Sequence, residues 1–386
     1  MATLGDLVDI RGGGTPSRKT KEYWGGNIPW VTVKDFKSTR ILGAQESITQ
    51  SGVDNSATNL IPAGNIIVPT RMALGKAAIN DVDVAINQDL KALLIKNAKE
   101  IHTQYLLRYL ETKAEWIERQ GKGATVKGIT VDVLKNLSIP LPPLPIQKQI
   151  ATLLEKADTL RSQCKHMEQE LNQLAQSVFL EMFGDPVTNP KYVGMTNLGD
   201  IVDIKGALVS PELPEYQDLN HVGPEHIEKE TGRLLPLKTA KEEGLISGKY
   251  LFDEHCVIYS KIRPYLKKAT IPGFRGLCSA DMYPLTPKEN VATKEFLWAL
   301  LLSSSFDRYI DTLPSRANIP KLNRKELNGF SFNLPPYHVQ EKFSSVLDAI
   351  NDKKMDLVHY SESVAQLFNS LMQNAFNGKL DLTKAA

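Results

Sequence analysis

The chain has 386 residues, of which 42% are hydrophobic, and its formal net charge is +2. This length allows two or three domains with ordinary cores, and so small a net charge does not by itself indicate nucleic-acid binding. No export signal or membrane-spanning apolar stretch is recognisable, and the three cysteines have neither disulfide-framework nor zinc-site spacing. We therefore expect a cytoplasmic protein that does not associate with membranes.

A glycine-rich segment, RGGGTPSRKT at residues 11–20, follows the first apolar run. A nucleotide-binding P-loop needs a glycine directly before its Lys-Thr pair, because its backbone N–H groups must approach the phosphate closely. Arg18 occupies that position, which argues against a nucleotide-binding enzyme. A simple surface turn and a loop that contacts nucleic-acid phosphates both remain open.

The chain contains an internal repeat of about 190 residues. LGDLVDIRGG at residues 4–13 returns as LGDIVDIKGA at 198–207, and RMALGKAAI at 71–79 returns as RPYLKKATI at 263–271. Near the end of each copy, residues 124–143 match 317–336 without a gap. The copies diverge most between about 14 and 60 and between about 208 and 255. One scaffold with two different faces predicts two different ligands.

Each copy begins with a globular part, at residues 1–143 and 185–336. Runs such as Ile66–Val68 and Val257–Tyr259 predict strands, and residues 103–120 and 294–313 predict helices. We expect each globular part to be an α+β or mixed α/β domain, and the two domains to be homologous.

A long amphipathic helix is predicted after each domain, at residues 144–184 and 337–377, and a tail follows at 378–386. Apolar residues recur at alternating spacings of four and three, the heptad pattern of a coiled coil. We expect the two helices to pair as an antiparallel coiled coil, with a domain at each end of a rod of about 55 Å. The predicted pairing residues are Ile150, Leu153, Leu160, Leu171, Leu174, Phe343, Val346, Ile350, Leu357 and Leu367. A coiled coil that serves only structure or oligomerisation is the alternative.

The sequence offers no positive case for catalysis. NLPPY at residues 333–337 resembles the N-P-P-Y loop of adenine-N6 methyltransferases, but an inserted leucine breaks the spacing and the other copy lacks both Asn and Tyr. The residues His221, His226, His255 and Cys256 match no metal-ligand spacing, and no nucleophile elbow is present. We predict no catalytic residue, metal or cofactor in this chain.

Short basic clusters recur in segments that we expect to be loops. Lys and Arg at such positions suit a phosphate backbone, although a solvated surface explains any single cluster equally well. The candidate DNA-binding residues are Thr15, Ser17, Arg18, Lys19, Lys21, Arg71, Lys76, Lys122, Lys127, Lys261, Arg263, Lys267, Lys268, Arg316 and Lys321.

Taken together, these features resemble the specificity subunit of type I restriction-modification enzymes. The resemblance is carried by LGDLVDIRGGGTPS at residues 4–17, EYWGGNIPWVT at 22–32 and GATVKGITVDVLKNLSIPLPPLPIQKQIA at 123–151. The order of domain, helix, domain, helix extends it over the whole chain. The second half departs more: Gln340 keeps the position of Gln147, but GGTPS and IPWVT have no close counterpart.

The resemblance implies that each domain is a target-recognition domain that reads one part of an asymmetric bipartite sequence in double-stranded DNA. The helices would fix the spacer and dock two methyltransferase subunits, and restriction subunits would complete the complex. S-adenosylmethionine, ATP and Mg would bind to those partners, so this chain would be non-catalytic. The alternative is a coiled-coil scaffold for protein interactions, without sequence-specific DNA binding.

Overall fold

The computed structural model describes residues 1–123, 125–204, 206–314, 320–377 and 379. The chain forms two compact units, one from Met1–Gln163 with the segment that begins at Ser361, the other from Cys164–Tyr360. Each unit therefore contains one globular domain and part of each long helix. None of the described helices is both long and apolar enough to cross a membrane.

The first domain is a mixed α+β domain. Its strands are β1 (Ala2–Thr3), β2 (Val8–Gly12), β3 (Trp24–Val31), β4 (Arg40–Ile41), β5 (Glu46–Ile48), β6 (Leu60–Ile61), β7 (Ile66–Pro69), β8 (Ala78–Asn80), β9 (Val84–Ile86), β10 (Leu90–Ile95) and β11 (Ser138–Ile139). Its helices are α1 (Leu4–Leu7), α2 (Gln50–Asp54), α3 (Thr103–Thr112), α4 (Ala114–Arg119) and α5 (Val131–Lys135), and the long helix α6 (Leu144–Phe183) follows. The two main sheets have the strand orders β2-β10-β7-β8-β4 and β5-β3-β9-β6.

The second domain repeats this plan. Its strands are β12 (Gly184–Asp185), β13 (Asn189–Pro190), β14 (Met195–Asn197), β15 (Val202–Ile204), β16 (Leu208–Val209), β17 (His221–Val222), β18 (Lys249–Phe252), β19 (Val257–Ser260), β20 (Ala269–Thr270), β21 (Gly276–Cys278), β22 (Met282–Pro287) and β23 (Ser331–Asn333). Its helices are α7 (Leu198–Ile201), α8 (Pro214–Gln217), α9 (Lys294–Leu301), α10 (Ser304–Asp311) and α11 (Arg324–Asn328), followed by the long helix α12 (Tyr337–Phe376). The sheets have the orders β15-β22-β19-β20 and β16-β18-β21-β17.

The predicted strands at 66–68 and 257–259 are confirmed as β7 and β19. Each predicted helix in these domains is instead a pair of shorter helices, α3 and α4 in the first domain and α9 and α10 in the second. In the second domain the break lies at Ser303, whose hydroxyl accepts a hydrogen bond from the Phe306 amide and so caps a new helix. A serine has this N-capping preference wherever the chain turns into a helix, and hydrophobic periodicity alone does not reveal the break.

The long helices pair antiparallel. In the first unit Ile150, Leu154 and Ala157 of α6 lie in one core cluster with Phe368 and Met372 of α12. In the second unit the later residues of α6, including Ala175, Phe179 and Phe183, share a cluster with Phe343 and Leu347 from the start of α12. The early part of each helix thus packs against the late part of the other, as expected for two amphipathic helices that bury their stripes together.

At several positions, the side chains buried between the two long helices are not the ones that the sequence predicts. Among the predicted pairing residues, Ile150, Phe343 and Ile350 are buried and Leu153, Leu160, Leu171 and Leu357 are half-buried, whereas Leu174, Val346 and Leu367 are 45%, 40% and 50% exposed. The stripe runs instead through Leu154, Ala175, Leu347 and Phe368. It also contains Arg161, whose guanidinium lies 4.5 Å from the centre of the Phe368 ring. A long polar side chain can cover apolar surface with its stem, so its charge concealed the stripe in the sequence.

A buried glutamine joins each long helix to its domain. The side-chain oxygen of Gln147 accepts from the His102 amide (2.9 Å), and its nitrogen donates to the carbonyls of Glu100 (2.8 Å) and Pro142 (2.9 Å). Gln340 makes the same three bonds in the second domain, with the Thr293 amide (3.0 Å) and the carbonyls of Val291 (3.1 Å) and Pro335 (2.8 Å). The position shared by the two glutamines in the repeat therefore reflects one structural role.

Candidate nucleic-acid interface

The glycine-rich loop packs tightly inside the first domain. A Cβ atom at Gly13 would lie 2.1 Å from the carbonyl oxygen of Ile86, and one at Gly14 would lie 2.7 Å from the amide nitrogen of Thr58. The Gly14 amide donates to the Ile86 carbonyl (3.0 Å), and the Gly14 carbonyl accepts from the buried indole of Trp30 (3.0 Å). These two glycines are required because the loop passes close to neighbouring backbone, and the backbone groups of Gly14 are used within the domain.

The loop ends in an aromatic and ionic cluster, the Arg18 platform, formed by Arg18, Trp24, Trp30 and Glu46. The Arg18 guanidinium lies 3.7 Å from the centre of the Trp24 ring, and its two terminal nitrogens donate to the Glu46 carboxylate at 2.6 and 2.7 Å. Trp24 packs edge-on against Trp30 with the ring centres 5.1 Å apart, and its indole donates to the Ser17 carbonyl (3.1 Å). Hydrogen bonding to Glu46 raises the pKa of Arg18, and the same bonds lower the pKa of Glu46.

This platform lies at the surface although each of its side chains has partners. The side chains of Arg18 and Glu46 remain 53% and 45% exposed. Of the other candidate residues in this loop, Thr15 donates its hydroxyl to Gln88, and Ser17, Lys19 and Lys21 are exposed. Two charged side chains are thus held in fixed orientations beside an exposed basic stretch of the chain.

Two segments that are distant in sequence meet at a corner of the first domain. Arg71 forms an isolated antiparallel bridge with Gly128, and the Met72 amide donates to the Lys127 carbonyl (3.2 Å). Lys122 and Gly128 exchange two backbone hydrogen bonds of 2.9 Å. Arg71, Lys122 and Lys127 are all exposed. We call this meeting of the loop after β7 with the segment before α5 the paired-loop corner.

The second domain has the equivalent paired-loop corner. The Arg263 amide donates to the Pro320 carbonyl (2.8 Å), and the Leu322 amide donates to the Lys261 carbonyl (2.8 Å). Lys321 lies here too, 3.3 Å from Asp281 at the closest N–O approach. In both domains, therefore, candidate basic residues from two separate sequence clusters are brought together.

The strand register corrects one detail of the repeat. Leu93 pairs with Ile66, and its repeat partner Leu285 pairs with Val257, so β19 is offset from β7 by 191 residues. Arg263 therefore takes the place of Met72, not that of Arg71 as the sequence alignment indicates. Both residues have positive φ, 66° for Met72 and 48° for Arg263, a conformation that is unfavourable for residues other than glycine. The same unusual turn is kept in both copies.

Several candidate basic residues bond within their own domain. Lys76 donates to the Phe36 carbonyl (3.3 Å), directly after a short 3-10 turn, and Lys268 donates to the Pro224 carbonyl (2.6 Å), at the start of one. Lys267 forms an ion pair with Asp307, and Lys261 donates to the Ala280 carbonyl. Arg71 comes within 3.8 Å of Asp89 and keeps 63% of its side chain exposed. Arg316 lies outside the described residues.

The histidines considered as metal ligands separate into two groups. His255 is exposed beside Glu254, whereas His221 and His226 share the carboxylate of Glu243, with N–O distances of 2.9 and 3.7 Å. Nδ1 of His226 accepts a hydrogen bond from the Gly223 amide (3.0 Å), just as the Asp35 carboxylate accepts from the Thr32 amide (2.8 Å) in the first domain. The structure thus brings ligand atoms of His221, His226 and Glu243 within 4.8 Å of one another, a group of possible metal ligands that the sequence spacing did not predict.

Both halves of the chain match one protein family. The model of the type I restriction modification DNA specificity domain matches this chain twice, over residues 1–176 and 190–363. The chain belongs to this family. Each specificity domain, as matched, includes one globular domain and most of the long helix that follows it.

Curated relatives extend over most of the chain. The type I restriction enzyme EcoDI specificity subunit of Escherichia coli is 28% identical over 321 residues, which cover 72% of this chain and 70% of that protein. The MjaIX specificity subunit of Methanocaldococcus jannaschii is 24% identical over 375 residues, covering 90% and 85%.

Solved structures share the fold. A type I restriction-modification S subunit from M. genitalium has a TM-score of 0.58 at 15% identity, over 97% of this chain and 95% of that one. A chain from a structural study of type I system assembly and conformational transition has a TM-score of 0.57 at 16% identity, over 98% and 97%. These values support the two-domain architecture with two long helices.

Trp24, Trp30 and Glu46, the partners of Arg18, were not predicted from the sequence of this specificity subunit. Trp24 and Trp30 stand within the EYWGGNIPWVT motif, so two nearby tryptophans were a signal in the sequence, although β3 is irregular between Trp24 and Ile28 and strand alternation does not predict their common face. Glu46 carries no such signal, because it is 28 residues away and reaches Arg18 only through the pairing of β3 with β5.

Proposed function

We propose that this specificity subunit is the DNA-recognition component of a type I restriction-modification complex, in which each domain reads one part of a bipartite double-stranded site. The observation that carries the proposal is the paired-loop corner, which recurs in both domains with exposed basic side chains. Such side chains bind DNA phosphates without regard to sequence and position a domain on the duplex. The surfaces that differ between the two domains would then contact the bases and determine which DNA sequence is bound.

The equivalent strands β3 and β17, each paired in parallel with the next strand of its sheet, support this division. Trp30 pairs with Ala85 in the first domain, and His221 pairs with Leu277 at the equivalent place in the second. The same backbone position therefore holds an indole beside Arg18 in one domain and an imidazole beside Glu243 in the other. Two homologous scaffolds with different chemistry at one place suit two different half-sites.

The long helices offer a surface for the partner subunits. Leu174 and Leu180 of α6 are 45% and 46% exposed, as are Met355 and Leu367 of α12 at 58% and 50%. Exposed apolar side chains arranged along a helix suit a protein interface. We propose that two methyltransferase subunits dock on these helices, and that restriction subunits join them. S-adenosylmethionine, ATP and Mg would then bind to those subunits, while this chain stays non-catalytic.

The test is selection from a random DNA library by the chain in complex with its methyltransferase subunit, followed by sequencing of the bound pool. We expect two short asymmetric blocks at a fixed spacing. Exchange of residues 1–143 for those of a relative should change one block and leave the other intact. If a well-formed complex enriches no DNA sequence, the proposal is contradicted. The coiled-coil scaffold for protein interactions would then be the remaining interpretation.

The paired-loop corner has its own test. The double variant Arg71→Ala, Lys127→Ala should weaken binding to all sequences and lower the salt slope by about 0.9 for each phosphate that is no longer neutralised. Lys99→Ala, an exposed lysine elsewhere in the first domain, is the matched control and should leave both quantities unchanged. A double variant with the wild-type slope would remove the corner from the interface.

A further inference from the structure

We propose that Arg18 and Glu46 act together as a base-reading pair, specific for a G·C base pair in the part of the site bound by the first domain. This inference rests on the proposed DNA-recognition function and assigns a specificity-determining role to the Arg18 platform.

The first argument is the orientation of the guanidinium. Arg18 is fixed on one side by the Trp24 ring at 3.7 Å and at its end by the two hydrogen bonds to Glu46. An isolated surface ion pair gains little from adopting one geometry, because its long side chains lose conformational freedom. Stacking on an aromatic ring restricts the arginine before any ligand arrives.

The second argument is the hydrogen-bonding capacity that remains. A guanidinium has five N–H donors, and a carboxylate has about four acceptor positions. The two bonds between Arg18 and Glu46 use two of each, so three donors and about two acceptors remain on side chains that are about half exposed. The pair can therefore bind a ligand without separating.

The third argument is the chemistry of the base pair. In the major groove guanine presents two acceptors, N7 and O6, and cytosine presents the N4 amino donor. An arginine beside a glutamate presents donors next to an acceptor, which matches guanine next to cytosine. An A·T pair presents an acceptor, a donor and an acceptor (N7, N6 and O4 of thymine). In the same alignment the second arginine donor would therefore meet the N6 amino group, and the carboxylate would meet the acceptor O4.

The fourth argument is the location. Arg18, Trp24, Trp30 and Glu46 all fall within residues 14–60, where the two copies diverge most, and His221 replaces Trp30 at the equivalent strand position of the second domain. A residue that reads bases is expected where the two domains differ, whereas the shared paired-loop corner suits contacts common to both.

The experiment uses the complex with the methyltransferase subunit and sequencing of the bound pool for three variants. Arg18→Lys keeps the charge but loses the planar fork, and Glu46→Gln keeps the shape but loses the carboxylate. Arg40→Lys is the matched control, because Arg40 also pairs with a carboxylate, Asp81, at the surface of the first domain (3.0 Å). Thermal unfolding of each complex is measured in parallel.

We expect Arg18→Lys and Glu46→Gln to relax the preference for one G·C pair in one block by about 5- to 150-fold. The other block and the Arg40→Lys profile should stay as in the wild type. If both variants keep the wild-type base preferences, the proposal is overturned, whether or not their thermal stability is reduced. The Arg18–Glu46 pair would then have only a structural role. Uniformly weaker binding without a change in preference would also overturn it and indicate a phosphate contact. Failure of the wild type to enrich any sequence would instead refute the proposed function itself.

Discussion

At the scale of single residues, the two helix-entry glutamines show how a shared sequence position becomes a shared structural role. Gln147 and Gln340 are completely buried, and each satisfies one amide and two carbonyl groups at the point where a helix leaves its domain. Loss of the Gln147 side chain would leave three partly buried backbone groups without this partner, and an unsatisfied buried group costs about 1–3 kcal/mol.

We therefore expect Gln147→Ala to lower the free energy of unfolding of the first unit by roughly 2–4 kcal/mol, since some of the backbone groups will gain water. Gln149→Ala, on the exposed face of the same helix, is the control and should change it by less than about 0.5 kcal/mol. Denaturant unfolding measures both. Equal effects of the two variants would show that the buried bonds contribute little.

A second prediction at this scale concerns pH. Burial lowers the pKa of His221, the hydrogen bond to Glu243 opposes this shift, and the charges of Lys249 and His226 add to it. Because the folded pKa lies below the ordinary value of about 6.5, His221 contributes stability above that pH. The contribution is lost as the pH falls through the folded pKa.

The melting temperature of the second unit should therefore fall between about pH 7 and pH 5, and it should fall less steeply in His221→Gln. His255→Gln removes a histidine that is 72% exposed and should keep the wild-type pH profile. Thermal scans across this range, with hydrogen exchange to separate the two units, give the comparison. Identical slopes for His221→Gln and the wild type would contradict the assignment.

Among the elements, α6 has two overlapping rows of side chains that repeat every seven residues from Ile150. The outer row passes through Leu153 and Leu160, and the inner row passes through Leu154 and Arg161. Leu154 is 1% exposed, whereas Leu153 is only half-buried. The inner row packs against the other helix, and part of the outer row stays exposed, where we propose that methyltransferase subunits dock.

The adjacent leucines allow a direct comparison. Leu154→Ala should destabilise the first unit by about 2–5 kcal/mol, because it leaves a cavity in a closed core. Leu153→Ala should cost less than about 1.5 kcal/mol, because its side chain is already partly solvated. Denaturant unfolding of the two variants measures this difference, and a larger loss for Leu153→Ala would place the outer row in the helix seam.

At the scale of the whole molecule, each compact unit is assembled from distant parts of the chain. Phe376, close to the end of the second long helix, lies 5.2 Å from both Tyr105 and Tyr109 of the first domain, measured between ring centres. Phe368 is 7% exposed in the same core cluster. The stability of the first domain therefore depends on residues that follow the second domain in sequence.

Phe368→Ala should lower the free energy of unfolding of the first unit by about 3–5 kcal/mol and leave the second unit unchanged. Leu367→Ala, at the neighbouring position that is 50% exposed, is the control. Hydrogen exchange in α3 and α9 reports on the two units separately. Equal loss of protection in both helices would show that the units unfold together.

The repeat, the mixed α+β character of both domains, the two long helices and the family can all be predicted from the amino-acid sequence. Local hydrophobic periodicity and motifs that recur along the chain reveal these features. Leu-Pro-Pro restricts the backbone before each long helix, and the apolar period of the following residues requires a helix with one buried face.

The stripe of each helix that is buried, the residues that accompany Arg18 and the role of the loop glycines could not be predicted, because they depend on the three-dimensional packing. Glu46 reaches Arg18 through strand pairing, Gly13 and Gly14 pack against residues more than 40 positions away, and Arg161 lies over Phe368. Contacts between distant segments depend on packing and strand register, and a shift of one residue exchanges the inner and outer faces. The loop also differs in length by one residue between the two copies. Arg263 therefore takes the place of Met72 in the structure and not that of Arg71.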